Sequence, residues 1–323
     1  MRAEWRPTAS AAMLKRRADL LSRARTFFAE RGVLEVDTPL VVNAPVTDVH
    51  IHSARVLFED GAGPSRTYFL HTSPEYAMKR LLAAGAADIY QICHVIRARE
   101  RGRLHNAEFT LIEWYRRGIS LDALMEEVDA LLRRMLAPAG PQRPTERISY
   151  RQVFLRELAI DPFSVSLAAL AQAARAAGLA AETSTRDELL EFLMGARIGP
   201  QLGRGRLTFV YGYPASQAAL ARLQPAEPRA AERFELYCEG VELANGFHEL
   251  ADAGEQRARF EGDLAERRRL GLRAAGLDER LLGALETGLP DCCGVALGFD
   301  RTLMLAAGAE CIDDVLPFPI ERA

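Results

Sequence analysis

Phe109, Leu111, Glu113 and Tyr115 alternate along a run whose intervening residues are Thr110, Ile112 and Trp114, so a carboxylate sits between an aromatic ring and a phenol. In a strand these four side chains share one face and extend over roughly 20 Å at about 3.3 Å per residue, enough for a nucleotide followed by an amino acid. A glutamate in so apolar a stretch needs a partner, because an unpaired buried carboxylate is costly, and a ligand ammonium group is one candidate. Just upstream, residues 97–106 gather Arg97, Arg99, Arg101, Arg103 and His105 around Glu100 and Asn106. Guanidinium groups make forked, charge-assisted hydrogen bonds to phosphate oxygens, so the loop suits a polyphosphate. A solvated charged hairpin would have the same composition.

Further carboxylates lie at Glu235, Glu242 and Glu249, the last two within Gly240-Val241-Glu242-Leu243-Ala244-Asn245-Gly246-Phe247-His248-Glu249-Leu250. Strict alternation puts Glu242 and Glu249 on opposite faces of a strand, so both serve one site only if Asn245-Gly246, a turn or bulge signal, bends the chain. Such acids can hold magnesium against triphosphate oxygens or bind an amine; ordinary surface acids would look alike. Gly294-Val295-Ala296-Leu297-Gly298-Phe299-Asp300-Arg301 reads as a glycine-punctuated strand entering a helix. Glycines there permit close approach by a ligand, and Arg301 could meet phosphate or stack on a base, although a tight structural turn would read the same.

The elements that must position these groups are legible in outline. Leu14, Ala18, Leu21 and Phe28 trace a helical stripe closed by Gly32. Short β-rich runs follow, expected to pair antiparallel, with a turn at Gly61-Ala62-Gly63-Pro64-Ser65. Ser73-Pro74-Glu75 opens a second helix, with serine as N-cap and proline at the first position, and Gly85 closes it. Strands are expected at 89–97, 108–116, 207–211 and 234–247, a helix at 121–136, a linker at 138–144, and a strand running into a helix at 294–305. Residues from about 150 to 205 are rich in Ala and Leu and read as a mostly helical insertion in one domain spanning 1–323. Strands with helices around them, without regular βαβ alternation, indicate an α+β fold with an antiparallel β-sheet.

Composition narrows the class. The 323 residues carry 41 basic and 44 acidic side chains, a net charge of -3, which argues against a broad nonspecific nucleic-acid surface. No apolar run reaches the length of a membrane span, and the opening residues lack a signal peptide's apolar stretch, so the expected location is cytoplasmic. Cys93, Cys238, Cys292, Cys293 and Cys311 form no CxxC pair, which points to reduced, buried thiols instead of a zinc site or a disulfide framework.

In order along the chain, these segments resemble the three signature motifs of class II aminoacyl-tRNA synthetases: motif 1 at residues 32–39, motif 2 at 97–109 and motif 3 at 294–301. Within that class the chain is most similar to the lysyl branch, through Ser73-Pro74-Glu75, Glu113-Trp114-Tyr115 and residues 242–249. The resemblance implies a class II synthetase-like sheet flanked by helices, a homodimer formed through motif 1, and ATP with Mg2+ as cofactors. It further implies Arg97 on the α-phosphate, His105 near the terminal phosphates, Asn106 and Phe109 at adenine, and Arg301 closing the ATP site, with Arg99, Glu100, Leu243 and Gly298 also along ATP. Glu235 and Glu242 would hold the metal. Glu75 would meet an amino group of the substrate, Glu113, Tyr115 and Glu249 would surround its distal amine, and Ser73, Asn245 and Ala296 would complete that pocket.

Three departures from lysyl-tRNA synthetases bear on the assignment. Motif 1, which takes in the opening helix before residues 32–39, begins almost at the first residue, leaving no room for an anticodon-binding domain, and Ser73 and Ala296 stand where those enzymes usually have alanine and glycine. Added groups of this size reshape a pocket, one methylene being worth about 1–3 kcal/mol of discrimination. Together these features resemble the elongation factor P (R)-β-lysine ligase family, synthetase paralogues that modify a lysine of elongation factor P after translation. That resemblance implies an AMP-forming ligase with ATP, (R)-β-lysine and elongation factor P as partners, and makes tRNA an unlikely acceptor. A ligase using α-lysine or another acceptor stays open, whereas a silent binding protein would be expected to lack Arg97, His105 and Arg301. In motif 2, Arg99 takes the place of a frequent acid, leaving open whether Arg99 or Glu100 serves the adenine side, and Ala107 replaces the usual proline.

Overall fold

The computed structural model describes residues 5–58, 66–136, 143–180, 185–273 and 275–323. The turn expected at 61–65 and residues 138–142 of the expected linker lie outside them. In chain order the first elements are α1 (Ala11–Ala29), β1 (Leu34–Glu35), β2 (Val41–Val42), β3 (Arg55–Phe58), β4 (Arg66–Leu70), α2 (Glu75–Ala83), β5 (Ile89–Ile96), β6 (Glu108–Arg117) and α3 (Leu121–Leu136). There follow β7 (Thr145–Ser149), α4 (Tyr150–Leu158), α5 (Leu167–Ala176), α6 (Arg186–Leu193), β8 (Leu207–Tyr211), β9 (Leu223–Gln224), β10 (Glu227–Ala231), β11 (Arg233–Cys238) and β12 (Val241–His248). The chain ends with α7 (Ala253–Arg269), α8 (Glu279–Thr287), β13 (Cys292–Gly298) and α9 (Phe299–Ala307). They fall into two compact units, one of residues 1–119, 130–140 and 251–323, the other of residues 120–129 and 141–250.

In the first unit β5, β6 and β13 pair antiparallel in that order, and β1 adds to β5 in parallel. The parallel edge departs from the antiparallel expectation for a topological reason: β1 and β5 are separated by β2 to β4 and α2, a crossover of the length parallel neighbours require. β2, β4 and β3 form a small antiparallel sheet of their own. Ser10 caps α1 by accepting the Met13 N–H at 3.2 Å, and Gly32 with φ +66° lets the chain reverse toward β1. The buried stripe of α1 brings Phe28 onto Tyr90, ring centroids 4.3 Å apart, and edge-on to Trp114 at 5.3 Å. Tyr90 and Trp114 face away from Gln91 and Glu113, so α1 covers the sheet face opposite the Glu113 carboxylate.

β13 ends at Gly298, paired with Leu111, where the chain turns into α9. The next β6 amide, Thr110 N–H, donates to Asp300 Oδ2 at 2.6 Å, while Arg17 of α1 bonds the other oxygen of Asp300 and donates to Thr110 Oγ1 at 2.6 Å. This buried ion pair pins α1, β6 and the start of α9 together, and thereby places Arg301.

In the second unit β8, β11 and β12 are antiparallel and β7 joins β8 in parallel. The helical stretch expected at about 150–205 is the crossover that a parallel β7–β8 pair needs. Two of its helices, α4 and α6, start at Ser149 and Thr185 in reciprocal capping boxes with Gln152 and Glu188. Tyr150, Phe154, Leu170, Leu190 and Leu193 from this segment pack on Val210, Tyr213 and Tyr237. Glu239 and Gly240, at φ +52° and +75°, make the two-residue turn from β11 to β12, a pairing whose twist suits a hairpin. Cys238, Cys292 and Cys293 are buried, Cys93 and Cys311 partly so, and all are free thiols.

Asp300→Asn keeps an acceptor for Thr110 but leaves the Arg17 cation without its counter-charge, and should destabilise the first unit by roughly 3 kcal/mol. Urea unfolding checks this; a loss below about 1 kcal/mol would show that the ion pair does not hold these elements.

Candidate active site

The groups of the first unit that the sequence suggests for an amine pocket assemble around β6. Glu113 pairs with Gln91 on one side and Ala296 on the other, and Tyr115 with Ile89 and Gly294, so β13 presents Gly294, Ala296 and Gly298 on the face that carries Leu111, Glu113 and Tyr115. Glu113 is buried, yet both oxygens are engaged: Oε1 accepts from the Tyr115 phenol and Oε2 from Ser73 Oγ, each at 2.8 Å. Ser73 Oγ in turn accepts the Glu75 N–H at 3.0 Å. The expected N-cap therefore operates one residue later than a simple reading places it: Pro74 is the formal cap, α2 begins at Glu75, and the serine hydroxyl bridges α2 to β6. Ser73, Glu75, Glu113, Tyr115 and Ala296 thus come together as the sequence suggests. Burial, followed by repulsion from Glu75, pushes the Glu113 carboxyl up to about 7, against the lowering influence of Ser73, Tyr115 and Lys79.

Lys79 escaped the sequence reading. It is buried and donates to Glu75 Oε1 at 2.6 Å, one helical turn away. The signal available was the i,i+4 spacing of Glu and Lys, which surface helices share.

The motif 2 loop divides its cations by role. Arg97 lies over Phe109, 5.1 Å from the ring centroid, and its Nε donates to Thr72 O at 3.2 Å, so the ring and the carbonyl fix its guanidinium. Arg301 of α9 donates to Leu104 O at 3.3 Å and meets the Nε2 of His105. Desolvation and then the Arg301 charge hold His105 below the ordinary histidine range, leaving a neutral ring at neutral pH. Arg101 and Arg103, counted with the polyphosphate cluster on composition, point elsewhere: Arg101 forks onto Asp313 at 2.8 and 3.0 Å and reaches Glu321, and Arg103 donates to Glu310 O at 2.8 Å. Both fasten the loop to the C-terminal segment. Asn106 is buried, donating to Glu108 O at 2.7 Å and accepting from Ile320 N–H at 3.1 Å, so its amide braces the same loop. Arg99 is exposed with φ +75°, a left-handed conformation uncommon for a side chain of this size.

In the second unit, Glu242 and Glu249 do reach one face, but the bend lies upstream of its expected place. Register runs unbroken from Arg233–Phe247 through Glu235–Asn245 to Leu236–Ala244, then slips so that Tyr237 pairs with Glu242. Leu243 is the extra residue of a β-bulge; Asn245-Gly246 is regular strand. The bulge sets Glu242 on the face of Glu235 and Asn245, and the alternation continues to Glu249 just past β12. Leu243 itself is buried. Glu235 accepts from the phenols of Tyr213 and Tyr237, each at 2.6 Å, and from Arg233, which also donates to Asn245 Oδ1 at 3.3 Å. Arg233, Tyr213 and Tyr237 were not singled out from sequence, where each looks like ordinary strand composition. Burial and then the Glu235 charge raise both phenols well above their usual range, so they stay donors. Among the described residues no group of three or more His, Cys, Asp or Glu is placed to hold a metal. Two carboxylates on one face fit magnesium nonetheless, since that ion is commonly held by one or two carboxylates with substrate phosphates completing its shell.

The family model for class II tRNA synthetases of the D, K and N type matches residues 3–322. The chain belongs to the class II tRNA synthetase family. Within this family it is 49% identical over 325 residues to an elongation factor P–(R)-β-lysine ligase of Vibrio cholerae, covering 99% of each chain. It is 49% identical over 323 residues to the ligase of that name from Pectobacterium atrosepticum, covering 99% of this chain and 98% of the relative, and 48% identical over 326 residues to that of Salmonella typhi, covering 99% of each. Such end-to-end identity places the chain beside ligases of the synthetase family.

Because the Glu113 carboxyl titrates near 7, affinity for a lysine-type diamine should weaken as pH falls through about 7, where the proton must leave before an ammonium can bind. Glu113→Gln should lower affinity at pH 8 by about 30-fold or more and flatten this dependence. Calorimetric titration at pH 6, 7 and 8 tests both; a wild-type affinity independent of pH would contradict the role of Glu113.

Proposed function

We propose that this class II synthetase relative activates (R)-β-lysine with ATP and joins it to the ε-amine of a lysine on elongation factor P. The observation that carries the reading is the constellation of half-buried Ser73 and Glu75 with buried Glu113 and Tyr115 beside Ala296, a pocket suited to a distal amine, in a chain matching ligases of that name from end to end.

In the first step the substrate carboxylate attacks the α-phosphorus of ATP, and pyrophosphate leaves. In the second, the acceptor amine attacks the acyl carbon of the aminoacyl-adenylate, and AMP leaves. The protein supplies no nucleophile; it acts by positioning and by opposing charge that builds on the phosphates. Arg97 contacts the α-phosphate, His105 lies near the terminal phosphates, Arg301 closes the ATP site, and Asn106 and Phe109 meet the adenine, with Arg99 or Glu100 beside it and the backbone at Leu243 and Gly298 approaching the nucleotide. Neutral His105 can donate to phosphate without a proton first being gained. Glu235 and Glu242 hold Mg2+, which neutralises triphosphate oxygens when bound. Glu75 takes an amino group, while Glu113, Tyr115 and Glu249 surround the distal amine and Asn245 completes the wall.

The same proposal includes one catalytic domain, with residues 150–205 as an insertion, acting as a cytoplasmic homodimer. Exposed Leu34, Leu40, Leu57 and Phe58 support a dimer face near motif 1. No helix among the described residues is long and apolar enough to cross a membrane.

Incubating purified elongation factor P with the enzyme, Mg-ATP and (R)-β-lysine should raise its intact mass by one β-lysyl residue, and pyrophosphate exchange should run faster with (R)-β-lysine than with α-lysine. An unchanged mass beside a known active ligase would reject the acceptor; faster exchange with α-lysine would reject the substrate.

A further inference from the structure

Lysine is among the residues least often buried, because its ammonium must be both desolvated and paired. Lys79 is 1% exposed, on the buried face of α2 with Met78 and Leu82. Its Nζ bonds Glu75 Oε1, and the Glu75 side chain, at 14% exposure, is the more open end of the pair. Through its own N–H, Glu75 is tied to Ser73 Oγ, which donates to Glu113. Two carboxylates and one ammonium therefore share a short network, and two carboxylates so placed without the ammonium would oppose each other's ionisation.

We infer that Lys79 is a positioning residue for amine recognition: it aims the Glu75 carboxylate and sets a compensating positive charge beside Glu75 and Glu113, so that both can receive the ammonium groups of one diamine. The inference deepens the proposed function and rests on its reading of this pocket as an amine site. With both carboxylates ionised and no substrate, Lys79 leaves one net negative charge. A diamine whose carboxylate is turned toward ATP adds two positive charges and turns that to one positive. The other ionisable groups near Glu113 do not substitute for Lys79. Tyr115 of β6 donates to Glu113 as a neutral phenol, and Cys93 of β5 stays a thiol because burial and then the Glu113 charge push it up to about 12. β13 offers Gly294, Ala296 and Gly298 at the paired positions.

The test is calorimetric titration of (R)-β-lysine into wild type, Lys79→Met and Lys79→Arg between pH 6 and 8.5, with folding checked by thermal melting. Lys79→Met should bind about fivefold more weakly at pH 7 and recover to wild-type affinity or better by pH 8.5, because the loss comes from Glu113 ionising at a pH about one unit higher. Lys79→Arg should keep the wild-type profile. A packing role alone would weaken binding equally at every pH, and that result, or no change at all, overturns the inference while leaving the amine pocket intact. If wild type binds no diamine at any pH, the pocket assignment fails and this inference with it. Should Lys79→Met not fold, Lys79→Gln, which keeps a donor for Glu75 but no charge, carries the same comparison.

Discussion

A carboxylate sunk into a β-sheet must be compensated where it sits, and the first unit is organised around that demand at Glu113. The strand carrying it is backed by α1, whose Phe28 packs on Tyr90 and Trp114, so water cannot reach the carboxylate from behind. Its two hydrogen bonds come from a phenol two residues along and a hydroxyl at the entry of α2, both neutral donors. Neutral donors satisfy oxygen lone pairs without cancelling charge, so Glu113 remains a poised acid until a cation arrives. The Arg17–Asp300–Thr110 lock serves the same arrangement from the other side of the sheet, by fixing β6 against the start of α9.

In the second unit the same chemistry is handled differently. Glu235 is held by two phenols and a guanidinium, so its charge is balanced within the protein. A carboxylate offers about four lone-pair positions, and three donors leave it capable of a further interaction. The helices between β7 and β8 carry none of the ionisable groups assigned to the reaction. They build the apolar wall into which Tyr213 and Tyr237 are packed, and so hold the donors that orient Glu235.

Much of this was legible in the sequence because period and composition agreed. The alternation from Phe109 to Tyr115 and the small residues at 294, 296 and 298 survive unchanged as two paired strands. What was not legible depends on long-range geometry. Arg101 and Arg103 read as phosphate ligands until Asp313, Glu321 and Glu310, some two hundred residues later, are seen to claim them. Glu242 and Glu249 were correctly judged to need a bend, but Asn-Gly drew attention to the wrong place. A bulge at Leu243 leaves no compositional mark, since it is a register slip between two strands. Lys79 was missed for the opposite reason: a Glu and a Lys one turn apart are so common on exposed helices that burial alone distinguishes this pair.

The account turns on Glu113 being partly protonated while the pocket is empty and ionised once an amine fills it. Proton linkage measures this directly: the heat of binding (R)-β-lysine at pH 7 is compared in two buffers of different ionisation enthalpy. A group that titrates near 7 should release about half a proton per ligand bound, so the heats should differ accordingly. Identical heats in the two buffers, with binding intact, would mean that no proton leaves the site and that the buried carboxylate is not the receptor for the substrate amine.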